Sequence, residues 1–443
     1  MRIIADFHFH SRFSRACSPE LTIPNLEKIA AFKGVRLLGT GDFTHPKWFA
    51  EIKETLEQAE GGLYRVRTTS SLLRSATPPC LPTRQAQRGG DVRFVLTCEI
   101  SSIYSQNGKT RRVHTVFVMP SIESVEKFNR ALEKQGAKLA SDGRPIVGIS
   151  AKDLARMALD IEPKTIIVPA HAWTPWFAVF GSMSGFDSLE ECFEEQAKNI
   201  FALEMGMSSD APMNWRVSGL DRLALLASSD AHSLHRIGRE GNVFELSSPQ
   251  DFSYDWVYNV IKRRNPKEFL FTIKYHPEEG RYHYDGHADC NFSCKPSETK
   301  RLKGLCPKCG RKLTVGVLAR VEALADRPEG YQPPNAIPTR HLVPLEEVIA
   351  GALGVGVQSK KVQNEYQSLV NQAGGEFAVL LDLPYEDLQK YTQPIIVEGI
   401  RRNREERLHI EPGYDGKYGV VKIFTEEERK EYLEGNIKQT KLF

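Results

Sequence analysis

No stretch of this 443-residue chain approaches the roughly 18 consecutive apolar residues that a membrane-spanning helix needs. The N-terminus, Met1-Arg2-Ile3-Ile4-Ala5-Asp6, runs straight into a strand pattern without the apolar core of a secretory signal. We therefore expect a cytoplasmic protein whose thiols stay reduced. The phosphate-cradling loop Gly-x4-Gly-Lys-Ser/Thr is missing, which argues against ATP use by this chain. The nucleophile elbow is missing too: Gly181-Ser182-Met183-Ser184-Gly185 has its frame but places Met183 at the centre. Internal repeats and coiled-coil heptads are absent. Net charge is also small, with 59 Lys and Arg against 56 Asp and Glu, or +3. That excludes a histone-like binder with a large basic excess, but not a local basic face. Apolar residues at 41% and charged residues at 26% are ordinary for a globular chain. The length suggests about three domains.

Eight cysteines are present and unevenly placed. Cys17, Cys80, Cys98 and Cys192 are scattered, whereas Cys290, Cys294, Cys306 and Cys309 fall close together. Two close pairs of thiolates on two turns can close a tetrahedron of Zn–S bonds, so these four are expected to hold a structural zinc. Gly310 follows the second pair, and a knuckle turn wants glycine there because it tolerates positive φ. The same stretch carries Lys295, Lys300, Arg301, Lys303, Lys308, Arg311 and Lys312 against Glu298 alone, a local charge of +6. We read these cations as a surface for the nucleic-acid backbone, the alternative being a solvated charged face. His276, His283 and His287 lie near this module and are read as packing or polar contacts, because four cysteines already complete a zinc site.

Short apolar strands alternate with amphipathic helices over the first 250 or so residues. Strands are expected at 3–7, 35–40, 94–98, 113–119, 165–169, 200–204 and 223–227, and helices at 23–33, 121–134 and 150–159. Such alternation implies a parallel sheet or a barrel. The Ser-, Thr-, Pro-, Gln- and Arg-rich stretch 68–90 reads as an exposed insertion. Residues 326–334 form a Pro-rich linker, beyond which 341–353, 360–373 and 385–390 look helical and 411–424 look like a hairpin. The boundaries expected are 1–252 for a catalytic domain, 253–327 for a four-cysteine zinc-binding domain, and 328–443 for a mainly helical C-terminal domain.

Chemistry concentrates at the ends of the strands. His8 and His10 are two apart and share a face of an extended chain. Asp42 and His45 follow strand two, Glu99 ends strand three, His114 lies on strand four, His171 follows strand five, and Asp230 with His232 follow strand seven. In a barrel, the C-terminal strand ends converge on one mouth, where active sites sit. Metal-ligand residue types at so many strand ends point to a shared metal site.

The opening Asp6-Phe7-His8-Phe9-His10-Ser11, the Gly41-Asp42 pair, Glu99, His114, His171 and the closing Ser229-Asp230-Ala231-His232 resemble the PHP (polymerase and histidinol phosphatase) superfamily. That resemblance implies an α/β fold, a distorted (β/α)7 barrel holding up to three divalent metals (Zn, Mn, Fe or Mg) for phosphoester hydrolysis. Nearly the whole chain is similar to the endonuclease Q family, through Gly41-Asp42-Phe43-Thr44-His45-Pro46-Lys47-Trp48, Ser208-Ser209-Asp210-Ala211-Pro212-Met213-Asn214-Trp215 and Tyr282-His283-Tyr284-Asp285-Gly286-His287 leading into the cysteines. By this resemblance His8, His10, Glu99 and Asp230 hold one metal, and Glu99, His114 and His171 a second. A third would use His232 and Asp42, with His45 as ligand or outer neighbour. The chain departs from the pattern at Arg15-Ala16-Cys17, where a histidine is usual. Asp6 is expected to orient an imidazole.

The resemblance implies incision of lesion-bearing double- or single-stranded DNA on the 5′ side of deaminated bases (hypoxanthine, uracil, xanthine) or abasic sites. The ends left are 3′-hydroxyl and 5′-phosphate, and repair or replication factors are the expected protein partners. Reading a base inside a duplex requires extruding it into a pocket. Trp173, Trp176, Phe177, Asn214, Trp215, Tyr282 and Tyr284 are candidates for its walls. The run Arg401-Arg402-Asn403-Arg404 reads as a solvated surface. Two alternatives stand beside the endonuclease: a small-molecule phosphatase of the histidinol-phosphate kind, and a non-catalytic DNA-binding scaffold.

Overall fold

Strand periodicity is visible in how the core divides. Ile3, Ala5 and Phe7, Val95, Val116 and Val118, Ile166 and Val168, and Leu226 belong to one buried apolar cluster. The alternate positions Ile4, Phe94, Leu96, Phe117, Ile167 and Leu225 belong to another. Both faces of these strands are therefore covered, which is why they read as near-continuous apolar runs.

A computed structural model describes residues 1–67 and 92–440. The expected insertion at 68–90 lies outside the described residues. All seven expected strands are present: β1 (Arg2–Asp6), β2 (Leu37–Gly39), β3 (Arg93–Gln106), β4 (Lys109–Met119), β5 (Ile166–Pro169), β6 (Ala202–Glu204) and β7 (Ala224–Leu226). β1 pairs parallel with β2, and β2 with β3. β3 and β4 form an antiparallel hairpin, so the alternation of strand and helix is broken here. Its turn is Asn107-Gly108, both at positive φ, as the twist of a tight hairpin demands. β4 pairs antiparallel with β5, and β6 parallel with β7. Ala172 N–H donates to Glu204 O at 2.9 Å, linking the ends of β5 and β6. Beyond β7, His10 N–H donates to Ala231 O at 3.0 Å and Asp230 N–H to His8 O at 2.8 Å, bringing the last of the seven back to the first. On its other edge β1 pairs antiparallel with β8 (Gly241–Glu245), β8 with β9 (Phe269–Lys274), and β9 parallel with β10 (Thr339–His341). The sheet thus runs on through residues beyond 253 and beyond 328.

Helix ends follow their local signals. Ile23–Lys33 has Pro24 in its first turn and stops at Gly34, in the left-handed region. Ser121 and Ser150 cap Ile122–Lys134 and Ala151–Ile161, each accepting a backbone N–H three residues on. Lys360–Ala373 begins on a Ser359 cap and ends at Gly374. The helix expected at 341–353 starts only at Leu345, because Pro344 supplies its entry and Thr339–His341 is taken by the sheet. His409–Glu411 and Val420–Lys422 form the expected C-terminal hairpin. Pro394–Arg404 and Glu426–Thr440 are helices without a sequence expectation. On the first of them the arginines are not simply solvated. Arg402 bridges Glu398 (3.2 Å) and Glu428 (2.8 Å), and Arg404 donates to the carbonyls of Val379 and Leu380.

Candidate metal centre

Residues on or just past five of the strands converge. His8 and His10 leave β1 on one face, Glu99 lies on β3, His114 on β4, His171 just past β5, and Asp230 past β7. Ligand atoms of His8, His10 and Asp230 lie within 4.8 Å of one another, and so do those of Glu99, His114 and His171. Glu99 faces both groups. Its Oε2 is 3.5 Å from His8 Nε2 and 3.2 Å from His10 Nε2. Its Oε1 is 2.7 Å from His114 Nδ1 and 3.1 Å from His171 Nε2. Three site residues, Asp42, His171 and Asp230, hold a positive φ, a backbone strain that clusters at functional sites. Gly206 makes room for one of them: a Cβ there would lie 2.7 Å from His171 Cβ.

Three of the four imidazoles are aimed by a partner behind them. His8 Nδ1 lies 2.8 Å from Glu204 Oε2, and His10 Nδ1 3.0 Å from Asp42 Oδ1. His171 Nδ1 lies 3.2 Å from Thr174 Oγ1. A carboxylate against Nδ1 keeps the proton there and turns the Nε2 lone pair into the mouth, as metal-binding histidines require. The Nε2 atoms of His8 and His10 and Oδ1 of Asp230 are buried without a hydrogen-bond partner. Buried polar atoms are as a rule hydrogen-bonded, and these three orphans converge on one point, which fits a cation held by mixed imidazole and carboxylate ligands. Burial opposes charge on His8, yet Glu204 and Glu99 hold its pKa well above the usual value; Asp42 and the carboxylates around His10 do the same there. Burial pushes His114 down to about 4 despite Glu99. Glu99 sits well below the carboxylate range, because His114, Arg144 and His8 outweigh its burial.

Other candidate residues make different contacts. Asp42 has both oxygens engaged, one by His10 and the other by Ser11 N–H (2.6 Å) and Ser14 Oγ–H (2.8 Å), so it holds His10 in place. His45 precedes the helix Pro46–Thr55 and stacks on Phe13 at 4.5 Å; His232 is half-buried with Nδ1 2.9 Å from Asp230 O. Neither Asp42, His45 nor His232 joins a three-residue ligand group among the described residues. Asp6 orients no imidazole: it accepts from Ser229 N–H (3.0 Å) and Gly238 N–H (2.9 Å), fixing the turn that carries Asp230. Glu204 takes the orienting role instead. It ends β6, and a search for metal-ligand residue types at the end of every expected strand would have found it. Arg144, with Nη1 3.1 Å from Glu99 Oε2, was also unmarked by any spacing.

In the cysteine module the quartet within 4.8 Å is His287, Cys290, Cys306 and Cys309. His287 takes the place expected for Cys294, whose buried thiol instead packs in an apolar cluster with Cys306 and Leu313 and lies 3.3 Å from Thr299 Oγ1. The hairpin Asp285–His287 with Phe292–Cys294 brings the two chain segments together, and Gly310 has the positive φ its position suggests. Lys295, Lys300, Arg301, Lys303, Lys308, Arg311 and Lys312 are all exposed. Lys308 Nζ donates to Cys290 O at 3.0 Å, and Arg301 pairs with Glu298 at 2.8 Å.

The aromatic candidates separate by burial. Trp173 and Asn214 are buried, with the indole N–H donating to Asn214 Oδ1 at 2.8 Å, and Trp215 packs against the core. These three hold the fold. Phe177 packs on the His114 ring at 4.8 Å. Trp176, 39% exposed, meets Tyr282 edge-on at 5.8 Å, and Tyr284 leans on His283.

A family model described as the MJ0043 C-terminal domain matches residues 344–407. The lesion-specific endonuclease PfuEndoQ from Pyrococcus furiosus superposes with a TM-score of 0.81 at 30% identity, over 95% of this chain and 95% of that one. Endonuclease Q in complex with a 27-mer duplex bearing an abasic lesion at its active site superposes with a TM-score of 0.80 at 31% identity, over 97% of this chain and 98% of that one. The Methanocaldococcus jannaschii protein MJ0043 is 31% identical over 57% of this chain, a match spanning 31% of its own length. No described helix is long and apolar enough to cross a membrane.

Proposed function

This chain belongs to the endonuclease Q family, and we propose that it is a metal-dependent DNA repair endonuclease. It hydrolyses the phosphodiester 5′ to a deaminated base or an abasic site, leaving 3′-hydroxyl and 5′-phosphate ends. The observation that carries the reading is Glu99, whose two oxygens face two separate groups of imidazole and carboxylate ligands in one buried mouth.

His8, His10, Asp230 and Glu99 would hold one divalent cation, and Glu99, His114 and His171 a second. When bound, such cations polarise phosphate oxygens and activate water. Glu204, Asp42 and Thr174 hold the imidazoles in register, and Asp6 anchors the turn of Asp230. The exposed cations of the cysteine module, itself read as a structural zinc knuckle, lie along the DNA backbone. Trp176 and Tyr282 offer the flipped base an aromatic face. A Trp176→Ala variant that cuts lesion and intact duplexes in the wild-type ratio would remove Trp176 from that role.

The experiment is incubation with Mn²⁺ and end-labelled duplexes carrying hypoxanthine, uracil, xanthine, an abasic site or no lesion. A nick just 5′ of the lesion is expected. Release of phosphate from a small monoester with DNA left intact would replace this reading with a phosphatase, and binding without cutting would replace it with a scaffold.

A further inference from the structure

Arg144 enters the mouth from a tightly fitted turn. A Cβ on Gly143 would lie 2.3 Å from Asp42 Oδ2 and 2.2 Å from Ser14 Oγ, so Asp142-Gly143-Arg144 presses against the floor of the site where no larger residue fits. Gly143 N–H donates to Phe13 O at 3.1 Å, and its carbonyl accepts from Thr44 Oγ1 at 3.2 Å. Arg144 N–H donates to Asp142 Oδ1 at 3.0 Å. These bonds fix where the side chain starts. It ends with Nη1 3.1 Å from Glu99 Oε2, the oxygen that also faces His8 and His10. Glu99 is wholly buried, but the Arg144 side chain is 29% exposed, and its Nε and Nη2 have no partner among the described residues.

A fixed positive charge beside ligands built for cations opposes metal binding. A neutral donor would hold Glu99 without that conflict. The guanidinium makes sense where an anion must be gripped, because its planar fork of donors matches two phosphate oxygens at once. We propose that Arg144 is a catalytic residue of phosphodiester cleavage, whose free Nε–Nη2 edge binds a non-bridging oxygen of the scissile phosphate. The proposal rests on the endonuclease reading above. In that hydrolysis the water oxygen bonds to phosphorus and the P–O3′ bond breaks. The water oxygen stays on the 5′-phosphate, one of its protons ends on O3′, and Arg144 keeps its own proton throughout. Its contribution is to the charge that grows on the non-bridging oxygens as the bond breaks.

The test compares wild type, Arg144→Ala and Arg144→Lys. Single-turnover nicking of an abasic-site duplex in Mn²⁺ should fall by about 10²–10³-fold in Arg144→Ala. Arg144→Lys should recover only a small part, since a point charge does not reproduce the fork. Metal content per chain should be unchanged. In EDTA, wild type should bind the native duplex more tightly than one with a neutral methylphosphonate at the scissile linkage, whereas Arg144→Ala should bind both alike. Arg144→Ala nicking within threefold of wild type overturns the proposal. So does a slow variant that keeps the wild-type preference for the charged linkage, or one that loses metal, because Arg144 would then act through Glu99. Failure of wild type itself to nick any lesion is a different result: it overturns the endonuclease reading, while the EDTA comparison still reads the phosphate contact.

Discussion

The strand-end mouth and the cysteine module hold ligands by opposite means. In the mouth the candidate ligands come from five strands far apart in sequence, and four of them are braced: His8 by Glu204, His10 by Asp42, His171 by Thr174, and Asp230 through its turn by Asp6. The ligand geometry is imposed by the sheet. In the module all four ligands lie within residues 287–309, around a buried cluster of only Cys294, Cys306 and Leu313. So small a core cannot fix the geometry alone, and metal binding must supply folding free energy there. The first region should survive loss of its cations as a fold and lose only chemistry, whereas the second should lose its shape.

The largest effect that can break this contrast is on activity. Asp230→Ala removes a ligand from a mouth that the sheet still holds, so nicking should fall by at least about 10³-fold while the far-ultraviolet circular dichroism and melting temperature stay near wild type. A variant that still nicks would remove Asp230 from the centre.

Next in size is ligand choice in the module. His287→Ala removes a ligand atom, so it should cost more in metal affinity than the roughly 10–100-fold lost with an outer hydrogen-bond partner, and it should loosen the module, seen as metal loss on dialysis and faster proteolysis between residues 285 and 315. Cys294→Ser should keep full metal content, since its thiol faces Thr299. The reverse outcome would restore the four-cysteine set.

Smaller, and confined to binding, is the effect of module charge. Replacing Lys295, Lys303, Arg311 and Lys312 together by Ala should weaken duplex affinity equally with and without a lesion. The slope of log affinity against log salt should flatten by up to about 3.6, at roughly 0.9 for each phosphate no longer neutralised. An unchanged slope would show that the module does not touch the backbone.

The smallest effect lies outside both regions, at the edge of the sheet. Although burial opposes it, Asp210 and Glu406 raise the pKa of His341 to about 9, and its ring stacks on His276 at 5.0 Å. A group raised above its unfolded value near 6.5 contributes stability that is full below pH 6.5 and lost as pH rises through about 9. Wild type should therefore be more stable than His341→Gln by on the order of 2 kcal/mol at pH 6, with the difference vanishing above pH 9, in urea unfolding at each pH. A difference independent of pH would assign His341 to packing alone.

What the sequence made legible follows the same division. His8, Glu99, His114, His171 and Asp230, on or just past their strands, could be read because residue type and strand position are both local signals. Helix limits at Gly34 and Ser150 were legible for the same reason. Partner choice was not, because it depends on which way a side chain turns once the chain is folded. Asp42 turns to His10, Asp6 to Ser229, and Cys294 to Thr299. Pro394–Arg404 was hidden by its charge: Arg402 and Arg404 look solvated until Glu428 and the carbonyls of Val379 and Leu380 close over them.

The most direct test of the central claim, that Glu99 joins two cation sites in one mouth, is anomalous scattering from crystals of this protein soaked in Mn²⁺. The account predicts two peaks flanking Glu99, one against His8, His10 and Asp230 and one against His114 and His171, and the loss of at least one of them in Glu99→Gln. Peaks that leave Glu99 uncoordinated, or a mouth without any peak at saturating Mn²⁺, would contradict it.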